Sequence, residues 1–241
     1  MTKRRVMIKL SGEVLAGEGA ESEFPHHLPT VRRICDEIAV AHKEGVQIAI
    51  VVGGGNIFRG AQGEMAGMDR SAADQFGMLA TIQNGIVLKD MLQLCGVETR
   101  LMTGLRCDAV AEPYIHGRAL RHFEKKRVVV FVGGTGNPFF TTDTAAALRA
   151  AEIGATLLAK ATKTDYLYDK DPEKHSDAVK IPRADYDRCL KEDLKVLDAA
   201  AFDICRGKEI PIRVFKLLER GNLTKVLLGE DVGSLVSKTA A

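Results

Sequence analysis

The run Gln47–Val52 reads Gln-Ile-Ala-Ile-Val-Val and passes directly into Gly53-Gly54-Gly55-Asn56. Five apolar residues in succession leave no polar face for water, so a strand built from them must be covered on both sides, as in a parallel sheet sandwiched by helices. The pattern recurs along the chain. Arg5–Leu10 leads into Ser11-Gly12, and Val128–Val132 into Gly133-Gly134-Thr135-Gly136-Asn137. Further strands are predicted at 98–102, 156–159 and 212–215, and a last one at 224–228. Between them lie stretches of helical period. One covers 29–44, with Val31, Ile34, Ile38 and Ala41 on one face and Gly45 as its stop; another covers 71–94, stopped by Gly96. A helix at 143–153 carries Thr144-Ala145-Ala146-Ala147, small enough to lie close on a sheet, and another covers 199–206. A polar segment without clear period runs from Lys160 to Arg183. This alternation predicts βαβ units and an α/β fold with a largely parallel sheet, as one domain or as two poorly separated lobes around a cleft.

Charge and cysteine usage narrow the function classes. Lys and Arg total 34 against 32 Asp and Glu, a formal charge of +2, which leaves no concentrated basic face for duplex nucleic acid. Lys3-Arg4-Arg5 and Lys125-Lys126-Arg127 are short and read as solvated strand entrances. The five cysteines (Cys35, Cys95, Cys107, Cys189, Cys205) are odd in number and widely spaced, with no C-x-x-C. Neither a disulfide framework nor a zinc site is predicted from them. The N-terminal apolar run Val6-Met7-Ile8 ends at Lys9, too short for a signal peptide, and no segment approaches the length of a membrane span. A cytoplasmic protein without nucleic-acid or membrane partners is expected.

The glycine turns and lysines carry the chemistry. In an open parallel sheet, ligands sit at the carboxyl ends of strands, so Lys9-Leu10-Ser11-Gly12, Gly53-Gly54-Gly55-Asn56, the Gly133 turn and a Lys160-Ala161-Thr162-Lys163 turn are expected at one edge. Glycine lets backbone N–H groups approach phosphate oxygens, and a helix N-terminus adds its positive end. The set predicts an extended polyphosphate ligand. No P-loop is present, since Gly207-Lys208 is followed by Glu209, and no G-x-G-x-x-G occurs.

These residues resemble the amino acid kinase superfamily nearly end to end, and within it the bacterial uridylate kinases. The resemblance is carried by Lys9-Leu10-Ser11-Gly12-Glu13, Gly53 to Gly60, Met78-Leu79-Ala80-Thr81 with Asn84-Gly85, and Ile210 to Phe215. Lys160 to Asp165 and Asp171-Pro172 match as well. Most specific is Thr135-Gly136-Asn137-Pro138-Phe139-Phe140-Thr141-Thr142-Asp143. The resemblance implies a three-layer αβα sandwich around a largely parallel open sheet, one domain over residues 1–241 with the UMP side in its N-terminal half and the ATP side at about 155–241. It implies transfer of the γ-phosphate of ATP to UMP, with Mg²⁺ arriving as MgATP, UTP as an inhibitor, and a homohexamer.

Site roles are implied residue by residue. Lys9 and Lys160 would brace the transferring phosphoryl group, with Asp143 and Asp198 as candidates for orienting the lysines or metal-bound water. Leu10, Ser11, Gly12, Gly55, Arg59, Thr162, Tyr168 and Asp171 would contact ATP; many relatives carry phenylalanine at the position of Tyr168. Gly54, Asp74, Thr135, Gly136, Asn137, Pro138, Phe139, Phe140, Thr141 and Thr142 would bind UMP, Asp74 at its ribose hydroxyls. Thr142 or Asp143 is expected to cap the helix that begins there. The resemblance predicts no protein-built metal cage, and Asp169-x-Asp171 is expected to be loop rather than ligand. Retention of Lys9, Arg59, Asp143 and Lys160 argues against a binding-only protein, while superfamily kinases for acetylglutamate or carbamate are the alternative enzymes. One segment departs from the pattern. Where relatives often carry a glycine-rich turn associated with GTP activation, this chain has Glu18, Glu21 and Glu23, whose charge would repel a triphosphate and predicts weak activation. Adjacent His26 and His27 are expected to be solvent-exposed.

Overall fold

The computed structural model describes residues 4–17, 24–58 and 67–239, so Arg59 and the glutamates at 18, 21 and 23 lie outside the described residues. Its strands are β1 (Arg5–Leu10), β2 (Gln47–Val52), β3 (Thr99–Thr103), β4 (Glu112–Pro113), β5 (Val128–Val132), β6 (Leu157–Thr162), β7 (Leu167–Tyr168), β8 (Lys180–Ile181), β9 (Arg183–Asp185), β10 (Ile212–Lys216) and β11 (Ser234–Ser237). Its helices are α1 (Gly12–Leu15), α2 (Leu28–Lys43), α3 (Arg70–Leu94), α4 (His116–Glu124), α5 (Thr142–Ile153), α6 (Tyr186–Lys191), α7 (Ala199–Gly207) and α8 (Asn222–Leu228). Among the described residues nine strands form one sheet in the order β4-β3-β5-β2-β1-β6-β10-β11-β9, and β7 pairs with β8 in a small hairpin.

Every pairing from β4 across to β10 is parallel; within this sheet of the described residues only β10–β11 is antiparallel. Strand alternation sorts the core into two layers. Val6, Ile8 and Leu10 face a layer built with Ile34 and Ile38 of α2, Leu88 and Leu92 of α3, and Leu223 and Leu227 of α8. Met7, Ala49 and Leu158 face the other, built with Phe123 of α4, Ala146 and Ala150 of α5, and Phe202 of α7. The result is the predicted α/β sandwich. The alanine run of α5 brings that helix against β1, β2 and β6, so the N-terminus of α5 stands at the carboxyl ends of the central strands.

Two sequence readings are corrected by the fold. Residues 224–228 are helical, not a strand: Leu223, Val226 and Leu227 are buried at helical spacing, and Gly221 and Gly229 bound the helix with left-handed backbone. In so short an apolar run the periods of 2 and 3.6 cannot be told apart, and the flanking glycines were the signal. The second concerns Lys160, which stands inside β6 rather than in a turn after it, because the strand continues to Thr162. Helix α4 and the outer strands β9 and β11 had no predicted counterpart; they are short, and α4 buries only Ala119, His122 and Phe123. Cys35, Cys189 and Cys205 are buried and all five cysteines are unpaired. Burial pushes the Cys205 thiol up to about 12, which leaves it an inert core group. Among the described residues no helix is long and apolar enough to cross a membrane.

Candidate active site

Lys9 of β1 and Lys160 of β6 are register partners on adjacent parallel strands. Alternation puts both on the α5 face, one pleat beyond Met7 and Leu158. Neighbouring strands run about 4.8 Å apart, so two ammonium groups side by side on one face would repel each other. Asp143, in the first turn of α5, resolves the conflict: its Oδ1 lies 2.8 Å from Lys9 Nζ and its Oδ2 2.8 Å from Lys160 Nζ. Lys160 Nζ also donates to the Val196 carbonyl at 2.7 Å. Burial by itself would raise the Asp143 carboxyl, but the Lys9 and Lys160 ammoniums outweigh it and hold the group below the ordinary carboxylate value. The three charges leave one net positive charge at the carboxyl edge, beside the N-terminus of α5, which favours an anion.

The helix cap falls at Thr141, one residue before Thr142 and two before Asp143: Thr141 Oγ1 accepts from the N–H groups of Asp143 and Thr144 at 3.0 and 3.4 Å. That shift leaves the Asp143 side chain to the lysines. Asp198 does not reach them. It caps α7 through the Ala201 N–H at 2.9 Å and accepts from the hydroxyls of Thr144 (2.9 Å) and Thr141. The expected orienting role therefore rests with Asp143, while Asp198 ties the start of α7 to the start of α5.

The glycine turns converge on this centre because nothing larger fits. A Cβ on Gly12 would come within 2.4 Å of Asn56 Oδ1 and 2.7 Å of the Gly55 nitrogen, and one on Gly54 within 2.8 Å of both Ala80 Cβ and the Gly77 carbonyl. Gly133 (φ +71°) and Gly136 (φ +86°) adopt left-handed backbone. Helix α3 holds these turns from beneath, for Thr81 Oγ1 accepts from the Gly133 N–H at 2.7 Å and Asn84 Nδ2 donates to the Gly53 carbonyl at 2.6 Å. Ser11 stands at the N-cap of α1 with its side chain unused in capping, and Leu10 is core. His26 corrects a further expectation: it is 4% exposed, with its ring against Asn84, and His27 is half-buried against Thr30.

The residues expected around UMP gather on one side of the lysines. A cavity of about 140 Å³ is lined by Gly54, Asp74, Asn137, Phe140, Thr141 and Thr142, among others. Asp74 Oδ2 accepts from the Phe139 N–H at 2.7 Å and pairs with Arg70 at 3.0 Å. Phe139 takes left-handed backbone (φ 70°), which costs a residue with a Cβ on the order of 1 kcal/mol, and this contact helps to hold it there. Phe139 and Phe140 are 67% and 53% exposed, so neither is core. Thr135 Oγ1 accepts from the Asn137 N–H at 3.1 Å and closes the turn through Gly136 ahead of Pro138.

Of the residues expected around ATP, Thr162, Tyr168 and Asp171 stand at and after the end of β6, while Leu10, Ser11, Gly12 and Gly55 stand at the turns after β1 and β2. Tyr168 and Asp171 line a cavity of about 350 Å³ with Thr164, Leu194 and Lys195. Tyr168 Oη donates to Asp165 at 2.7 Å, presenting the ring, and Asp171 accepts from the Glu173 N–H at 3.0 Å. Thr162 ends β6 with its hydroxyl donating to the Thr164 carbonyl at 2.8 Å. Lys163 pairs with Glu13 of α1 at 3.1 Å. Asp169 accepts from the Val179 N–H at 2.8 Å, an ordinary loop contact. Among the described residues no three His, Cys, Asp or Glu side chains gather as metal ligands. Sequence reasoning missed Thr81 and Asn84 as anchors and Val196 as the third partner of Lys160. For the first two, the signal was polar residues three apart on the otherwise apolar buried face of a helix.

An open, mostly parallel sheet with two lysines, a bridging aspartate and glycine turns at its carboxyl edge defines the class: an α/β protein with a cationic centre at the carboxyl edge of its sheet. The chain belongs to the amino acid kinase family, whose model matches residues 4–216. A uridylate kinase of Xanthomonas oryzae pv. oryzae is 48% identical over 236 residues, 98% of this chain and 97% of that protein. Among solved structures, the UMP kinase of Bacillus anthracis matches with a TM-score of 0.93 at 36% identity, covering 98% of this chain and 97% of that one. The UMP kinase of Ureaplasma parvum matches at 0.92 and 32% identity, covering 99% and 100%. The uridylate kinase of Archaeoglobus fulgidus matches at 0.75 and 26%, covering 96% and 99%.

Proposed function

We propose that this chain is a UMP kinase, transferring the γ-phosphate of ATP to UMP to give UDP and ADP. The observation that carries the reading is the Lys9–Asp143–Lys160 bridge at the carboxyl edge of the sheet, in a chain of this family. A phosphate oxygen of UMP attacks the γ-phosphorus in line, the bond to the β-phosphate oxygen breaks, and ADP leaves with that electron pair. Such a transfer needs positioning and charge stabilisation rather than a covalent nucleophile. Lys9 and Lys160 supply two cations aimed at the equatorial oxygens, and Asp143 fixes both in place before substrate arrives. Gly12, Gly55, Leu10 and Ser11 serve the ATP phosphates by backbone approach, with Thr162, Tyr168 and Asp171 on its nucleoside and Arg59 on phosphate. Gly54 and the run from Thr135 to Thr142 serve UMP, with Asp74 exchanging its Phe139 and Arg70 contacts for ribose hydroxyls. Mg²⁺ would arrive as MgATP and would supply neutralisation of charge along the phosphate chain. The nearest carboxylate, Asp143, is committed to two ammoniums, a donor set that suits a cation carried by the substrate.

The domain reading follows: one unit over 1–241, UMP on its N-terminal half and ATP on about 155–241, working in the cytoplasm. The test is a coupled ADP assay across UMP, CMP, AMP, acetylglutamate and carbamate. UMP is expected to be turned over far faster than the rest, because a pocket built to hydrogen-bond uracil leaves its polar groups unpaired with another base. Asp74→Ala is expected mainly to raise KM for UMP, and UTP to inhibit in competition with UMP. Comparable turnover of CMP and UMP would sink the reading.

Self-association is part of the same proposal. Helix α3 exposes Phe76 (49%), Leu79 (50%) and Ile86 (43%) on the side away from its buried face. An apolar stripe on the outer side of an otherwise buried helix calls for cover. A second copy of this chain supplies it, in the hexamer the resemblance implies. Sedimentation of Phe76→Asp with Leu79→Asp is expected to show a smaller particle than wild type; an unchanged mass would move the interface elsewhere.

A further inference from the structure

Beneath the Gly53 turn lies a buried polar network that the proposed chemistry leaves unexplained. Asn84 of α3 is 0% exposed and uses its whole amide: Nδ2 donates to the Gly53 carbonyl at 2.6 Å and to Asn56 Oδ1 at 2.7 Å. Its Oδ1 accepts from Asn56 Nδ2 at 3.2 Å and lies 2.6 Å from His26 Nε2. The geometry fixes the proton. A carbonyl can only accept, so the NH₂ of Asn84 must face Gly53, its oxygen must face His26, and Nε2 must be the N–H of the imidazole. Asn56 Nδ2 also donates to the Pro25 carbonyl at 2.8 Å, so Pro25 meets the turn directly and His26 meets it through Asn84.

These bonds hold both ends of one short loop. Gly53 is held by its carbonyl and Asn56 by its amide, with Gly54 and Gly55 between them. The loop lies against the first motif, where Gly12 leaves no room beside Asn56. His26 accepts a cost for this place: its Nδ1 is buried with no hydrogen-bond partner among the described residues. Leucine would fill the same space without that cost, so packing does not account for an imidazole here.

We propose that His26 is a positioning residue for phosphoryl transfer. Through Asn84 and Asn56 it sets the height of the Gly54–Gly55 backbone relative to Lys9 and Lys160, without itself touching substrate. The inference rests on the UMP kinase reading, in which those two glycines face the reacting phosphates. Transfer is sensitive to such placement, since small displacements of bound groups lower the rate steeply.

The experiment compares His26→Leu, which keeps volume and loses the donor, with His26→Gln, whose amide restores an N–H toward Asn84. The leucine variant is expected to lose about tenfold in kcat at saturating ATP and UMP with its melting temperature retained, and the glutamine variant to recover most of that loss. Backbone hydrogen exchange of residues 53–58 should quicken in the leucine variant while that of β10 is unchanged. On an Asn84→Ala background His26→Leu should cost nothing further. Wild-type kcat in His26→Leu, equal losses in both variants, additive losses with Asn84→Ala, or unchanged exchange at 53–58 would each overturn the proposal. So would a kcat loss that follows the folded fraction. If the wild-type enzyme makes no UDP, the functional reading fails by itself, and the exchange data still decide whether His26 holds the loop.

Discussion

Lys160→Ala is expected to lower kcat by on the order of 10²-fold or more, with a smaller change in the KM values for ATP and UMP. A cation matters most where negative charge is reorganised, and Lys160 stands level with Lys9 on the next strand, facing the same space. Lys9→Ala should behave alike. The two variants differ in what remains: without Lys160, Asp143 keeps Lys9 and the Val196 carbonyl loses its donor; without Lys9, Lys160 keeps both of its partners. Single-turnover rates with pre-bound MgATP separate chemistry from product release. A Lys160→Ala enzyme with wild-type kcat would remove that residue from the mechanism.

The second large effect is expected at Asp143→Asn. Removing the charge but not the shape leaves two ammonium groups on adjacent strands with no counter-ion, a change that costs about 3 kcal/mol where a buried pair is broken. We expect a lowered melting temperature and a kcat reduced by about tenfold or more, because both lysines lose the group that aims them. ATP should stabilise the variant more than the wild type, since its phosphates supply the missing negative charge. The pH dependence has a definite sign. In the folded protein the Asp143 carboxyl lies below its ordinary value of 3.8, so its stabilisation is fully present above that value and is lost as pH falls through the folded-state value. The gap in melting temperature between wild type and Asp143→Asn should therefore stay level at neutral pH and close only below pH 3.8. Thermal melts across that range check it; a gap that closes near neutral pH would mean that another group carries the effect.

Much of this arrangement was legible in the sequence because it depends on local pattern. The apolar runs at β1, β2 and β5, rich in β-branched residues and followed by glycine turns, read as strands covered on both faces, and their bounds agree with the structure. Helix α5 was legible from its alanines and α3 from its long period. Elements of weak or short pattern were not. Residues 222–228 hold too few residues to distinguish a helix from a strand, and the charged residues of α4 hide its two apolar anchors, Ala119 and Phe123. The short strands β9 and β11 owe their state to pairing, β11 with β10 and β9 with β11 at the edge of the sheet.

The site divides in the same way. Residue types marked Lys9, Lys160 and the glycine turns, since the chemistry of a polyphosphate restricts what can surround it, and the family resemblance added Asp143. What those residues do to one another was decided by register. Lys9 and Lys160 lie 151 positions apart and become neighbours only because β6 joins the sheet beside β1. Asp143 reaches both because Thr141 takes the cap of α5, and Asp198 is diverted to the Thr141 and Thr144 hydroxyls by the placement of α7. His26 makes the point most sharply. As one of two adjacent histidines in a polar segment it reads as solvent-exposed, and nothing local says otherwise. Burial is a property of what other segments bring, here Asn84 from 58 positions away, so the composition of a loop can name its chemistry while only tertiary contact decides whether water or an amide receives it.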